Sequence, residues 1–200
     1  MRAFRIALWA LVAVVAVMVG VLSFRTMAPE GSTVAGLATP DIGGPFELVG
    51  SDGATVTRDD LLGKPHALFF GYTHCPDVCP TTVWELTEHV KKLGRDADDL
   101  RLVFVSVDPE RDTPEVLGEY VSAFDPRIVG LTGSREAIDE AVRVHRAYYR
   151  IHPPDEHGDI LVDHTASVFL FDADGAFRGT IAYGEAPGTA LEKLQRLVTA

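Results

Sequence analysis

Cysteine is scarce in this 200-residue sequence, which contains only Cys75 and Cys79. A structural zinc site needs about four Cys or His ligands, so two cysteines cannot form one alone. Their C-x-x-x-C spacing is one residue longer than the C-x-x-C redox motif. Such a pair is close enough to bind a soft metal ion, to act as a redox dithiol, or to close a disulfide. A purely structural disulfide is the least informative interpretation, because closing so short a loop stabilises little.

Basic residues are also scarce, with 18 Lys and Arg against 29 Asp and Glu and a formal net charge of −11. Three arginines and no acid lie in the first 25 residues, so the remaining chain has 15 basic and 29 acidic residues and a net charge of −14. An acidic surface repels phosphates, which argues against nucleic acid as a partner. Basic proteins and cations fit this charge as partners, and solubility alone explains it equally well.

One long run of residues without charge extends from Ile6 to Phe24, after a start that contains Arg2 and Arg5. Its 19 residues, as a helix, span the roughly 30 Å of a bilayer core. A cleaved signal peptide has a shorter apolar region of roughly 7–15 residues. The pattern therefore predicts an uncleaved anchor over residues 1–25, with the N-terminus in the cytoplasm and the remainder on the outer side of the membrane.

The chain after the anchor divides into a tether and a single domain. Residues 26–45 are rich in Gly, Pro, Ser, Thr and Ala and have little hydrophobic pattern, which is typical of a tether. Residues 46–200 alternate apolar runs with helical patterns. This alternation predicts an α/β domain with a largely parallel sheet covered by helices on both faces.

The two cysteines lie between a predicted strand and a predicted helix. The apolar run Ala67–Phe70 is typical of a buried strand and ends at Gly71. From Val78 onward, apolar residues recur at helical spacing. The cysteines therefore occupy the loop and the first helical turn, where unpaired backbone N–H groups favour the thiolate.

Three short motifs in order carry a resemblance to a known family. They are Cys-Pro-Asp-Val-Cys-Pro at residues 75–80, Ser-Val-Asp-Pro-Glu-Arg-Asp-Thr-Pro at 106–114, and Val-Asp-His-Thr at 162–165. With them, the chain closely resembles the Sco/SenC family over about residues 40–198. The resemblance implies a thioredoxin-like fold with a mixed central sheet flanked by helices, joined to an N-terminal transmembrane helix.

The resemblance also implies a function and a metal site. Family members bind copper through the two motif cysteines and the motif histidine, which are Cys75, Cys79 and His164 here. They help deliver copper to the copper A centre of a cytochrome c oxidase subunit, and some act as thiol-disulfide reductants of the cysteines of that site. A copper donor and a thiol reductant are the further partners expected. Two thiolates and one imidazole suit Cu(I) and still hold Cu(II).

The other histidines and one acid are weaker candidates. His152 and His157, in a predicted polar loop over residues 151–163, are considered as a second, weak copper site. Asp163 either orients the ring of His164 or caps a turn. Four more histidines fit surface, helix or strand-end positions that are solvated or half-buried: His66, His74, His89 and His145.

Two alternative functions remain open from the sequence. The first is a metal-free thiol-disulfide oxidoreductase or thiol peroxidase that uses Cys75 and Cys79. The second is a purely structural, membrane-tethered module. A closed disulfide and a bound copper ion exclude each other, so the copper and redox hypotheses describe two states of the same pair.

Overall fold

The computed structural model describes residues 42–199. The predicted anchor over residues 1–25 and most of the predicted tether lie outside the described residues. Within residues 42–199, no helix has both the length and the apolar character needed to cross a membrane.

The described chain contains nine strands, four α-helices and two short 3₁₀ turns. The strands are β1 Glu47–Gly50, β2 Thr55–Thr57, β3 His66–Gly71, β4 Arg101–Ser106, β5 Val129–Thr132, β6 Tyr149–Ile151, β7 Val162–His164, β8 Val168–Phe171 and β9 Phe177–Ile181. The helices are α1 Val78–Leu93, α2 Pro114–Ser122, α3 Arg135–Val144 and α4 Pro187–Val198, and the 3₁₀ turns are Asp59–Leu61 and Gly94–Ala97.

Seven strands form one mixed sheet in the order β2-β1-β5-β4-β3-β8-β9. Only β3–β4 and β4–β5 pair in parallel, whereas the other four pairs are antiparallel. The prediction of a largely parallel sheet from the strand-helix alternation is therefore wrong. The reason is that the alternation covers only β3 to β5, while antiparallel hairpins form both edges of the sheet. The mixed sheet implied by the family resemblance is confirmed.

Helices cover both faces of this sheet, as predicted. All six residues of β3 are buried. Phe69 and Phe104 face Val83 and Leu86 of α1 across a small internal cavity. Phe70, on the opposite face of β3, contacts the ring of His145 directly after α3, with ring centroids 5.4 Å apart. Successive side chains of a strand point to opposite faces, so a central strand needs apolar residues at every position.

Local signals at the helix starts set where two helices begin. The Thr113 side chain accepts a hydrogen bond from the Val116 N–H at 3.4 Å, and Pro114 is the first residue of α2. The Ser134 side chain accepts one from the Ala137 N–H at 3.2 Å at the start of α3. Each such cap typically stabilises a helix by about 1 kcal/mol.

A second, two-stranded sheet lies apart from the main one. Strands β6 and β7 pair antiparallel, with Tyr149 opposite His164 and Ile151 opposite Val162. The sequence predicted only a polar loop over this part of the chain. The hairpin was missed because each strand has only three residues, which leaves too little alternation to detect.

Candidate metal centre

The two cysteines lie where β3 passes into α1. Cys79 is the second residue of α1 and has no exposed surface. A Cβ atom on Gly71, the last residue of β3, would lie 2.9 Å from Cys79 Sγ. Glycine therefore permits the end of the strand to approach the sulfur closely. Cys75 lies in the intervening loop and is half-buried, and its Sγ accepts a hydrogen bond from the Cys79 N–H at 3.3 Å.

A buried carboxylate fixes the start of this loop. Asp112 is fully buried and accepts hydrogen bonds from the N–H of Thr73 at 2.9 Å and from its hydroxyl at 2.6 Å. The hydroxyl of Ser106, at the end of β4, donates to the same carboxylate at 2.5 Å. The sequence analysis missed this residue, although it belongs to the motif at residues 106–114. The carboxylate ties two adjacent parallel strands together next to the cysteines.

His164, the last residue of β7, lies against the buried sulfur. Its Nε2 is 3.2 Å from Cys79 Sγ, although 85 residues separate the two in sequence. The ring stands edge-on to Phe69 and Tyr72, at centroid distances of 5.6 and 5.9 Å. Nδ1 lies 3.2 Å from the carbonyl of Thr165. A carbonyl only accepts, so this contact favours the tautomer in which Nδ1 carries the proton and Nε2 presents a lone pair to the sulfurs.

These three side chains form a compact donor set. Sγ of Cys75, Sγ of Cys79 and Nε2 of His164 all lie within 4.8 Å of one another. Two sulfurs and one imidazole nitrogen favour soft or borderline ions over magnesium or calcium. Cys75 and His164 line a surface depression together with Pro76, Asp77 and Leu161, while Cys79 lies buried behind them. The site is therefore closed on its core side and open to solvent on one side.

The two thiols carry different charge in the metal-free protein. The hydrogen bond with the Cys79 thiol, helped by backbone N–H groups, lowers the pKa of Cys75 to about 3. Burial, followed by the hydrogen bond with Cys75, raises the pKa of Cys79. At neutral pH the negative charge therefore lies on the half-buried sulfur and the proton on the buried one. An ion bound by both sulfurs must displace that proton.

Asp163 does not contact the ring of His164. Its carboxylate instead pairs with His152, with Nε2 and Oδ2 2.7 Å apart. Of the two roles left open for Asp163, orienting the proposed ligand is therefore excluded, because neighbouring residues of a strand point to opposite faces. Nδ1 of His164 faces the Thr165 carbonyl, which is a backbone group and so leaves no mark in the sequence.

The remaining histidines lie outside the donor set. His66, His89 and His145 are 5%, 6% and 1% exposed, so the prediction of solvated or half-buried positions is wrong for all three. His74 is exposed, as predicted, with its Nδ1 3.0 Å from the Thr73 hydroxyl. Within residues 42–199, the group formed by the two cysteines and His164 is the only cluster of three close ligating side chains, so neither His152 nor His157 belongs to one.

A family model matches most of the chain. Residues 34–199 match the model described as SCO1/SenC, which is well over half of the chain. The chain belongs to the SCO1/SenC family. The resemblance drawn from the three motifs is thus confirmed.

Individual relatives extend the comparison. The chain is 43% identical to the human "Protein SCO1 homolog, mitochondrial" over 143 residues, 70% of this chain and 48% of that protein. It is 41% identical to "Protein SenC" of Rhodobacter capsulatus over 167 residues, 80% of this chain and 75% of that one. The chain thus spans about half the length of the human relative.

A solved structure of a SCO1/SenC relative is also similar. It is Bradyrhizobium japonicum ScoI with copper bound, which is 44% identical to this chain and superposes with a TM-score of 0.71. The comparison covers 78% of this chain and 99% of the other. The thioredoxin-like arrangement of a mixed sheet and flanking helices is therefore shared with a family member that binds copper.

Proposed function

We propose that this SCO1/SenC protein is a copper chaperone that binds one copper ion through Cys75, Cys79 and His164. The ion is its cargo, delivered to the copper A centre on a cytochrome c oxidase subunit. The observation that supports this most directly is the 3.2 Å approach of His164 Nε2 to Cys79 Sγ. This contact adds a nitrogen donor from β7 to a cysteine pair from the β3–α1 junction, as a soft three-ligand site requires.

The geometry suits transfer better than storage. Three protein donors around one ion leave room for an incoming thiolate at the open mouth of the site. One bond can then be exchanged at a time, and the ion is never free in solution. Asp77, with Cys75 and His164, lines the side from which an acceptor approaches.

Titration with Cu(I) tests the proposed site. Reduced wild-type protein should bind one equivalent, and His164→Ala should lower the affinity by at least about 10-fold, the lower end of the cost of disturbing a group that orients a metal ligand. His157→Ala is the matched control, because that histidine is 77% exposed and lies outside the donor set. Equal affinities of His164→Ala and wild type would contradict a three-ligand site.

Delivery to the acceptor needs its own assay. The copper-loaded protein is mixed with the reduced, metal-free copper A domain of a cytochrome c oxidase subunit. Appearance of the copper A absorption spectrum would support delivery. Retention of copper by the loaded protein would contradict it, while leaving copper binding itself intact.

The unequal thiols favour a second activity on the same residues, the reduction of a partner's disulfide. The Cys75 thiolate would attack one sulfur of that disulfide and form a mixed disulfide. Cys79, after losing its proton, would attack Cys75 Sγ and release the partner as a dithiol. The protein would be left with a Cys75–Cys79 disulfide, which an external thiol reductant must reduce again. Disulfide reduction by metal-free wild type, with none by Cys75→Ser, is the expected result.

The proposal extends to the organisation of the whole chain. Residues 1–25 would anchor the protein in the cytoplasmic membrane, residues 26–45 would act as a tether, and residues 46–200 would form the copper-binding domain on the outer side. The support is the 19-residue run without charge behind an arginine-containing start. Externally added protease should digest the domain in intact spheroplasts. Protection of the domain until lysis would contradict this orientation.

A further inference from the structure

The motif at residues 106–114 has no role in the donor set, although its residues lie close to it. Its Asp108 is 4% exposed and forms an ion pair with Arg111. The N–H of Asp108 donates to the hydroxyl of Ser106 at 3.1 Å. The motif therefore holds the guanidinium of Arg111 in a fixed direction after the end of β4.

The guanidinium of Arg111 points toward the segment that carries the proposed histidine ligand. Its Nη2 donates to the carbonyl of Ile160 at 3.0 Å. Its Cζ lies 5.7 Å from the centre of the Tyr72 ring, within reach of a cation–π interaction. Arg111 therefore connects the buried Asp108, the ring of Tyr72 and the backbone that leads into β7.

Tyr72 contacts the same segment at a second backbone atom. Its hydroxyl accepts a hydrogen bond from the N–H of Val162 at 3.3 Å, and its ring stands edge-on to His164. The side chain is 2% exposed, so water does not readily replace this contact. The segment before His164 is thus held at the Ile160 carbonyl and at the Val162 N–H.

These contacts matter because β7 has no partner in the seven-stranded sheet. It pairs only with β6. In β6, the other strand of the hairpin, the hydroxyl of Tyr149 donates a hydrogen bond to Asp139 and accepts one from Arg135. On the β7 strand, Arg111 and Tyr72 add two directed polar contacts to the burial of Val162 in the core.

We infer that Arg111 and Tyr72 are positioning residues that hold His164 against the cysteines and so set how tightly copper is retained. This inference rests on the proposed copper-binding function. It assigns Arg111, with its partner Asp108, to the nitrogen side of the site, whereas Asp112 of the same motif supports the sulfur side. Neither residue donates an atom to the ion, and both act through the imidazole.

Competition with a Cu(I) chelator on the full chain measures the effect. Arg111→Lys keeps the charge but loses the directed contact with Ile160, and should weaken affinity about 10-fold, the range seen when a group that orients a metal ligand is removed. Tyr72→Phe loses only the hydroxyl and should weaken affinity by about 2–10-fold, the value of one buried hydrogen bond. Arg127→Lys is the matched control, since Arg127 pairs with Asp125 at 2.7 Å outside the site.

A double-mutant cycle separates positioning from general damage. In a His164→Ala background, Arg111→Lys and Tyr72→Phe should have no further effect on Cu(I) affinity. Electron paramagnetic resonance of the Cu(II) form should show nitrogen coupling in wild type and in Arg127→Lys, and weakened coupling in Arg111→Lys.

Two outcomes would overturn the inference while leaving the three-ligand site intact. In the first, His164→Ala weakens binding but Arg111→Lys and Tyr72→Phe bind copper like wild type. In the second, Arg111→Lys and Tyr72→Phe each lower copper affinity as much in the His164→Ala background as in the wild-type background. If His164→Ala itself binds copper as tightly as wild type, the three-ligand site fails and the inference fails with it.

Discussion

The sulfur side and the nitrogen side of the proposed metal centre are built in different ways. The cysteines lie between β3, which is buried along its whole length, and α1. His164 lies on a hairpin of two three-residue strands that pair only with each other in the described chain. Long buried elements and the Asp112 carboxylate thus position the sulfurs, whereas the imidazole is positioned by a short hairpin, two aromatic rings and the directed contacts of Arg111 and Tyr72. Substitutions on the two sides should consequently differ in how strongly they change copper affinity and the free energy of unfolding.

Among the changes on the two sides, loss of a sulfur should lower Cu(I) affinity the most. Cys79→Ser replaces a soft donor by a hard hydroxyl in a fully buried position. Cu(I) affinity should fall by more than about 100-fold, beyond the usual cost of disturbing a group that orients a metal ligand. The measurement is competition with a chelator, and His164→Ala should lose less. A smaller loss for Cys79→Ser than for His164→Ala would reverse the ranking of the two sides.

Acid should destabilise the core that supports the sulfur side. Burial lowers the pKa of His66 and of His145 to about 4, below the roughly 6.5 of an exposed histidine. The unfolded chain therefore takes up protons first, and stability falls as the pH drops from about 6.5 to about 4. At pH 5 the loss is about 2 kcal/mol for each histidine.

Denaturant unfolding at a series of pH values measures this loss. His145→Gln should have a shallower pH dependence than wild type, by up to one proton, whereas His157→Gln should match wild type because its ring is exposed. Parallel curves for wild type and His145→Gln would rule out this histidine as a source of the acid sensitivity.

A single methyl group tests how closely the strand approaches the sulfur. In Gly71→Ala the new Cβ would lie 2.9 Å from both Cys79 Sγ and Phe104 Cζ. Overpacking of this kind should lower the free energy of unfolding by about 1–3 kcal/mol, and the displaced sulfur should weaken copper binding. Gly188→Ala on α4 is the control, since no atom beyond its chain neighbours and the adjacent backbone of its own helix lies within 4 Å of its Cβ position. Wild-type stability and affinity in Gly71→Ala would show that the sulfur has room to move.

The smallest effect is expected for Asp163→Asn on the hairpin. The change removes a charge from the partly exposed pair with His152, and such pairs contribute less than about 1 kcal/mol. Copper affinity should stay within about 2-fold of wild type, because the carboxylate points away from His164. A loss of copper affinity as large as that expected for Arg111→Lys would mean that this carboxylate does influence the position of the imidazole.

The sulfur side was also the more predictable side. The buried strand before the cysteines and the amphipathic helix after them both depend on signals within a few residues. The structure places these elements where the sequence did, to within one or two residues. Local patterns were sufficient because β3 is a short apolar run and the buried residues of α1 recur at helical spacing.

The nitrogen side needed tertiary information. The motifs named His164, but the hairpin that carries it was not predicted, and so the role of Asp163 was left open between orienting that histidine and capping a turn. Had β7 been recognised, strand alternation alone would have separated the two side chains. The burial of His145 was equally hidden, because its surroundings combine Phe46, Phe70, Phe169 and Phe171 from three separate segments of the chain.

The unequal exposure of the two cysteines gives ligand exchange a direction. Cys79 has no exposed surface, whereas Cys75 and His164 are both partly exposed at the mouth. In the proposed transfer, an arriving thiolate would therefore meet the ion beside Cys75 or His164, and the bond to Cys79 would break last. The buried sulfur of Cys79 would thus retain the ion on this protein until the acceptor has bound it.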